Sequence, residues 1–469
     1  MANNRKDIHL VYKEIKTICD KNFIIIIELT HNKLSIAATK KPKDEILSTL
    51  KFIAGVSICY DLWPKEKIDH HFNNYYEEAN EEEVAYQPTP NEHAMSSSPA
   101  VAFVEDMLTL AVRKRSSDIH LEPSKQGIKI RIRVDGKLHY LPAPAYEINA
   151  EIIARLKILA KLNIAEKRLP QDGQFSCFLD KQNFSIRLST MPTLYGEKLV
   201  LRILHTQLKY TLDQLGMPES LLQQLKDTLS SSQGLILVTG PTGSGKTITL
   251  YSSLESVNNL HRNISTIEDP IEIPINGINQ IQVNEKYSLG FANILRSLLR
   301  QDPDIVMIGE IRDEETAKIA VRAAQTGHLV LSTLHTNGTI NTVSRLEQLG
   351  IAPSLLASCV KIIIAQRLIR MLCTHCRQQE SQPITVSHDK KNIEIVHWKA
   401  KGCEHCFSGY IGRTAIYEFI THHELDSLLN NIHTDHSIIY DKLFDFGLNL
   451  VQQGVTSLQE LYSITGKNE

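Results

Sequence analysis

The sequence predicts an α/β fold in which a largely parallel sheet is faced by helices. Three observations carry that prediction. Between residues 211 and 370 short apolar runs alternate with helical patterns, and such alternation builds parallel sheets covered by helices. Inside that stretch the apolar run Leu235–Val238 leads into a glycine-rich loop and then a helical pattern, Ile248–Val257, which is the strand–loop–helix order of a phosphate-binding unit. The chain of 469 residues is 42% hydrophobic and 22% charged, a globular composition with length for about three domains.

Taken in order, residues 1–85 read as a small mixed domain. A helical pattern near Ile8–Ile18 precedes a strand-like run, Phe23–Leu29. Acidic residues Glu77, Glu78 and Glu81–Glu83 then run into a Pro/Ser/Asn-rich tether over 86–100. A second domain follows over 101–205. It opens on a helix capped by Ser97 or Ser98, with Val101, Val104, Leu108 and Val112 on one face. Alternating Ile130 and Ile132 with Arg131 and Arg133 predict a strand, and Asp135-Gly136 a hairpin turn. A helix over Ile152–Leu162 and strands at Phe175–Leu179, Phe184–Leu188 and Leu199–Leu204 complete it. The alternating α/β region spans 211–370, and 371–469 combines two cysteine pairs with amphipathic helical stretches.

Lysine plus arginine sum to 51 against 53 acidic residues, so the net charge is −2. That balance argues against a dedicated nucleic-acid binder. Apolar runs such as Phe23–Ile27 and Ile362–Ala365 fall far short of the ~20 residues a bilayer requires. The N-terminal residues MANNRKDIHL carry no apolar signal region, so a cytosolic protein is expected, with its thiols reduced. Cys19, Cys59, Cys177 and Cys359 are scattered and read as small buried hydrophobes.

Gly240-Pro241-Thr242-Gly243-Ser244-Gly245-Lys246-Thr247 fits the phosphate-loop pattern. Backbone N–H groups and a helix N-terminus would cradle phosphate, Lys246 would reach the β- and γ-phosphates, and Thr247 would ligate Mg²⁺. Two acidic strand ends follow. Ser265–Glu272 places Glu268 and Asp269 before a turn-forming proline, suited to the neighbourhood of Mg²⁺. Asp304–Asp313 ends a buried strand in Gly309-Glu310. With Gly309 where many phosphate-loop enzymes carry Asp, Glu310 is the candidate to orient or activate water. A third strand, 327–337, is flanked by His328 and His335, candidates to sense the γ-phosphate.

Together these stretches resemble the hexameric secretion ATPases of type II secretion and type IV pilus assembly (the GspE/PilB type). The family's phosphate loop, Asp box, atypical Walker B and His box read here as GPTGSGKT, TIEDPIE, LLRQDPDIVMIGEIRD and GHLVLSTLHTN. Earlier signatures also match, in Ser117–Pro123, Arg133–Gly136, Arg168–Gly173 and Ile186–Thr193. The resemblance is strong over about 97–420. It implies a RecA-like ATPase domain, a preceding α+β (PAS-like) domain, a small N-terminal docking domain and a zinc-binding C-terminal subdomain. It also implies ATP hydrolysis in a hexameric ring, where Arg187 and Arg202 complete a neighbour's site. Nucleotide-driven domain rotation would act on an inner-membrane platform protein. The chain would then be peripheral to the inner membrane, reaching it only through partners, with no direct nucleic-acid substrate. Type II secretion, pilus assembly and competence-type DNA uptake share these motifs; a nucleic-acid translocase fits them less well.

Cys373-x₂-Cys376 and Cys403-x₂-Cys406 form two knuckles across a 26-residue spacer. Two such pairs close a tetrahedral Zn²⁺ site with no open position, so a structural ion is expected. His375 and His405 lie inside the knuckles and are not expected to be ligands. The spacer exceeds the common zinc-ribbon value and reads as an extended loop. In the resembled family this four-Cys element marks assembly and secretion members and is followed by a Gly-Tyr-x-Gly-Arg stretch, here Gly409–Arg413.

Overall fold

The computed structural model describes residues 98–466 apart from 181, 206–209, 285–288, 389–390 and 431–441, together with most of 15–68. The expected helix near Ile8–Ile18 and the expected tether over 86–100 fall largely outside the described residues. Among those described, no helix is long and apolar enough to cross a membrane. The chain divides into two compact units, one holding residues 1–204 with 373–377 and 400–411, the other holding the rest.

The first unit begins with strands β1 (Ile24–Leu29), β2 (Lys33–Ala38) and β3 (Ser57–Leu62) in the order β1-β2-β3. β1 is antiparallel to β2, and β3 is parallel to it, reached through the helix Asp44–Ala54. Leu34, Ile36 and Leu50 are fully buried at its centre.

The middle domain opens on the helix Pro99–Arg113, with Pro99 at the first turn, where its missing N–H costs nothing. Its strands are β4 (Asp118–Ser124), β5 (Gly127–Val134), β6 (Lys137–Leu141), β7 (Gln171–Leu179), β8 (Gln182–Thr193) and β9 (Gly196–His205). They form one sheet ordered β6-β5-β4-β9-β8-β7. In β8, buried Phe184, Ile186 and Leu188 alternate with Ser185, Arg187 and Ser189, the period-two pattern of a sheet with one face covered. Val104 and Met107 of the first helix and Ile152 and Leu156 of the helix Asn149–Leu159 join Ile119, Ile130 and Leu201 in a single core. Burying each such side chain contributes about 2 kcal/mol. β4 escapes the sequence patterning because Ile119 and Leu121 are its only buried apolar positions, set among Asp118, His120, Glu122 and Pro123.

The second unit is built on β10 (Gly234–Thr239), β11 (Ile264–Glu268), β12 (Asn279–Gln282), β13 (Ile305–Ile308), β14 (Leu329–Leu334) and β15 (Val360–Leu372). Their order is β12-β11-β13-β14-β10-β15, and each pairing is parallel. β10, β13 and β14 are buried along their whole length, as parallel strands with both faces covered must be.

The C-terminal part differs from a simple appendage. The spacer between the cysteine pairs is ordered in two small ladders, β16 (Gln378–Gln379) with β19 (Trp398–Lys399) and β17 (Ile384–His388) with β18 (Lys391–Ile395). Val386 and Ile395 drop into a core with Phe444, Val451 and Leu461 from the terminal helices Lys442–Gln452 and Leu458–Thr465. β20 (Tyr410–Thr421) returns to the central sheet as its seventh strand, beside β15.

Candidate functional site

Parallel register brings four segments to one edge of the sheet. Thr239 ends β10 opposite Leu334 of β14 and Ala365 of β15, so the loops after β10, β11, β13 and β14 all leave from the carboxyl ends of their strands. That edge is where open α/β sheets bind ligands. The phosphate loop, Glu268, Glu310 and His335 therefore share one side.

The loop itself is shaped by close approach. A Cβ at Gly240 would lie 2.5 Å from the Gln366 carbonyl oxygen, and one at Gly245 would lie 2.8 Å from Gln366 Nε2. Gly245 also holds φ at +89°, next to the helix Lys246–Val257, a conformation open to glycine at no steric cost. Thr249 Oγ1 donates to Gln366 Oε1 at 2.7 Å, fastening that helix to β15. Lys246 is buried, and its Nζ donates to the Gly240 carbonyl at 2.8 Å and the Pro241 carbonyl at 3.1 Å. Burial pulls its pKa down, Glu310 and Glu272 push it up, and Arg367 adds to the lowering. Thr247 is half-buried one position further on.

Glu310 follows β13 and is 15% exposed. Its Oε1 accepts from Arg312 Nη2 at 2.5 Å, and its Oε2 lies 3.3 Å from His335 Nε2. The structure thus brings together two of the expected catalytic residues, with His335 holding the carboxylate that acts on Lys246. Behind them, Thr239 Oγ1 donates to the Leu334 carbonyl at 3.1 Å and pairs with the Thr336 hydroxyl, which in turn pairs with Thr342 Oγ1 at 2.6 Å. This hydroxyl chain ties the end of β10 to the loop after His335.

Two of the expected site residues are engaged within the chain. The Glu268 carboxylate is buried, with Oε2 accepting from the Tyr251 hydroxyl and Oε1 accepting from Thr266 Oγ1 at 2.6 Å and Gln280 Nε2 at 3.0 Å. Both oxygens are engaged within the chain, and Glu268 joins β11 to the phosphate-loop helix. Burial, then the bond to Glu268, pushes the Tyr251 hydroxyl pKa far up and keeps it a donor. The exposed carboxylates of this segment are Asp269 and Glu272. His328 stands before β14, not after it. Six strand residues at about 3.3 Å each separate it from the phosphate-loop edge, about 20 Å in all. Its Nδ1–H donates to the Ala323 carbonyl at 3.2 Å, at the edge of the sheet away from its own chain's phosphate loop.

Gln366 and Arg367 carry no motif and were not expected at the site. The only sequence signal is a polar pair interrupting the apolar run of β15. Arg187 and Arg202 belong to the other compact unit. They lie exposed on the same face of β8 and β9, opposite the buried Ile186 and Leu201. Arg202 Nε donates to Asp118 Oδ1 at 3.0 Å, with Arg133 3.8 Å from the second oxygen.

The four cysteines meet. Their Sγ atoms all lie within 4.8 Å of one another, with Cys373–Cys403 at 3.8 Å, Cys376–Cys406 at 3.7 Å and Cys403–Cys406 at 3.6 Å. Zinc–sulfur bonds of about 2.3 Å in a tetrahedron require edges of about 3.8 Å, so the donor set fits Zn²⁺. The His375 and His405 rings rest on each other at 4.5 Å, outside the sulfur cluster. Phe407, directly after the last cysteine, stacks on His139 at 4.1 Å and enters the middle-domain core.

A phosphate loop after a central parallel strand, an acidic residue after a neighbouring strand, and a histidine bound to it define a phosphate-loop nucleotide-binding protein. The chain matches the family "Type II/IV secretion system protein" over residues 93–463 and belongs to it. It is 41% identical over 463 residues to the "Protein transport protein HofB homolog" of Escherichia coli K12, covering 97% of this chain and 98% of that one. It is 43% identical to the "Type II secretion system protein E" of Klebsiella pneumoniae, over 78% of this chain and 76% of that one. With the "Type IV pilus assembly ATPase PilB" of Acinetobacter baylyi it shares 42% identity over 79% and 67%. The solved Yersinia pseudotuberculosis ATPase DotB shares the fold, with TM-score 0.59 and 20% identity over 82% of this chain and all of that one.

Proposed function

We propose that the protein is an ATP-hydrolysing motor powering type IV pilus assembly or type II protein secretion. The carrying observation is the Glu310–His335 pair beside Lys246 at the phosphate-loop edge. ATP binds with its phosphates on the loop 240–247, and Thr247 and Asp269 are the residues that would hold Mg²⁺, which would offset phosphate charge. Glu310 orients the attacking water and takes its proton, and His335 fixes the carboxylate. Arg187 and Arg202 serve a neighbouring subunit's nucleotide in a hexamer, and both are exposed on one face, as that role needs. The four cysteines hold one structural Zn²⁺. The protein is cytoplasmic and works at the inner membrane through a platform protein. End-to-end similarity to a protein-transport relative and strong similarity to a pilus assembly ATPase support both settings equally.

Glu310→Gln tests the chemistry. It should bind ATP as the parent does, while the hydrolysis rate falls at least about 100-fold, the scale of a lost general base. Full-rate hydrolysis by this variant would reject the assignment.

A further inference from the structure

The geometry points to Arg367 as a positioning residue for ATP hydrolysis, acting within its own chain by locking the loop that carries His335 against the phosphate loop. The inference rests on the site reading above. Thr239 pairs with Ala365 in parallel register, so the next residues of β15 run beside Gly240 and Pro241. From there the guanidinium reaches two ways. Nη1 donates to the Gln366 carbonyl at 3.0 Å and would sit 3.1 Å from a Cβ on Gly240. Nη2 donates to the Asn337 carbonyl at 2.8 Å, with Asn337 Oδ1 at 3.4 Å. Asn337 is two residues beyond His335 in the same loop.

The environment of this cation is unusual. Its hydrogen bonds among the described residues go to neutral acceptors, and no carboxylate forms a salt bridge with it. A half-buried guanidinium ordinarily gains a carboxylate, because desolvation is costly. Here burial pulls its pKa down, countered by the field of Glu418. Glu418 is committed elsewhere, accepting from the Thr339 backbone N–H at 2.8 Å and from the Thr339 hydroxyl at the start of the helix Thr339–Gln348. Arg367 and Glu418 instead share the wall of a cavity of about 450 Å³ with Pro241, Asn337 and Gly338. The positive charge therefore stands where its field reaches Lys246, and the fork joins the Gln366 carbonyl of β15, beside Gly240, to Asn337 of the His335 loop as one ammonium cannot.

If Arg367 works through the His335 loop, removing it should misplace Glu310 without emptying the nucleotide site. Arg367→Ala should lower kcat about ten- to a hundredfold, as small misplacements do, with KM for ATP and the dissociation constant for ADP within about threefold. Arg367→Lys, which keeps charge but not the fork, should recover only part of kcat. The decisive measurement is the double variant with His335→Ala. Its kcat should be no lower than that of His335→Ala alone, since both remove one linkage. Multiplying losses, or ADP affinity falling in step with kcat, would overturn the inference. If His335→Ala and Glu310→Gln were themselves fully active, the site reading would fail instead.

Discussion

The phosphate-loop edge of the parallel sheet and the four-cysteine knuckle are both announced by short motifs, yet they are held in opposite ways. At the sheet edge every element is fixed by its neighbours. Parallel register sets the ends of β10 and β14 beside Ala365 of β15, and Gln366 braces two glycines and Thr249 at once. The knuckle has little regular structure to lean on. It has a cluster of four sulfurs that fits a metal ion, a few turn hydrogen bonds such as Cys373 N–H to the Gly409 carbonyl at 2.8 Å, and one aromatic anchor, Phe407. Order imposed by a sheet is redundant, whereas order imposed by the proposed metal would be concentrated in a single ion.

The largest effect therefore belongs to the knuckle. Cys403→Ser should lower bound zinc from about one per chain to none, and hydrogen exchange should accelerate across 373–377 and 400–411. Structural zinc in small domains accounts for about 10–16 kcal/mol of apparent folding free energy. Most of the local order should be lost while the parallel sheet stays protected. Zinc retained in the variant, or absent from the parent, would remove the metal from the comparison.

Phe407→Ala asks whether the anchor can be separated from the metal. Phe407 is buried in the same core as Ile119, Ile130 and Leu201. Truncating such a residue costs about 3–5 kcal/mol, and the ring lost here is also the partner of His139. Zinc content should be unchanged, while exchange rises in the hairpin β5–β6 that carries His139. An unaltered hairpin would mean that the knuckle is ordered by zinc alone and only rests on the middle domain.

The two regions also differ in how much of them can be read in advance. Strand–loop–helix patterning puts Lys246, Glu310 and His335 at the sheet edge where the structure holds them, because in a parallel sheet a residue just after a buried strand must fall at the ligand edge. Four cysteines at the right spacing likewise predict the sulfur cluster that the structure forms. What escapes is anything that acts across chain distance without a local pattern. Gln366 meets Thr249 across 117 positions, and nothing near β15 marks it as part of a phosphate site. Phe407 is one aromatic after a cysteine, with no periodicity to assign it to the middle-domain core. The buried fate of Glu268 depends on Tyr251 and Gln280, donors from two other elements. Strand β4 is illegible in the sequence because two apolar positions are too few to show alternation.

The two histidines of one strand give the finest form of the comparison, because they differ only in which end they occupy. His335 leaves β14 at the phosphate-loop edge and lies 3.3 Å from Glu310, whereas His328 enters β14 at the far edge and binds the Ala323 carbonyl. Sequence proximity to a conspicuous strand treats them alike, and the direction of the strand does not. His328→Ala should cost about 1 kcal/mol of stability, one partly buried hydrogen bond, and leave the ATPase rate within about twofold. His335→Ala should cut that rate about a hundredfold through Glu310. Equal losses in purified protein at matched nucleotide saturation would mean that the far edge of the sheet also takes part in hydrolysis. Since His328 stands about 20 Å of strand away from its own loop, such a contribution would have to be made to another chain's nucleotide.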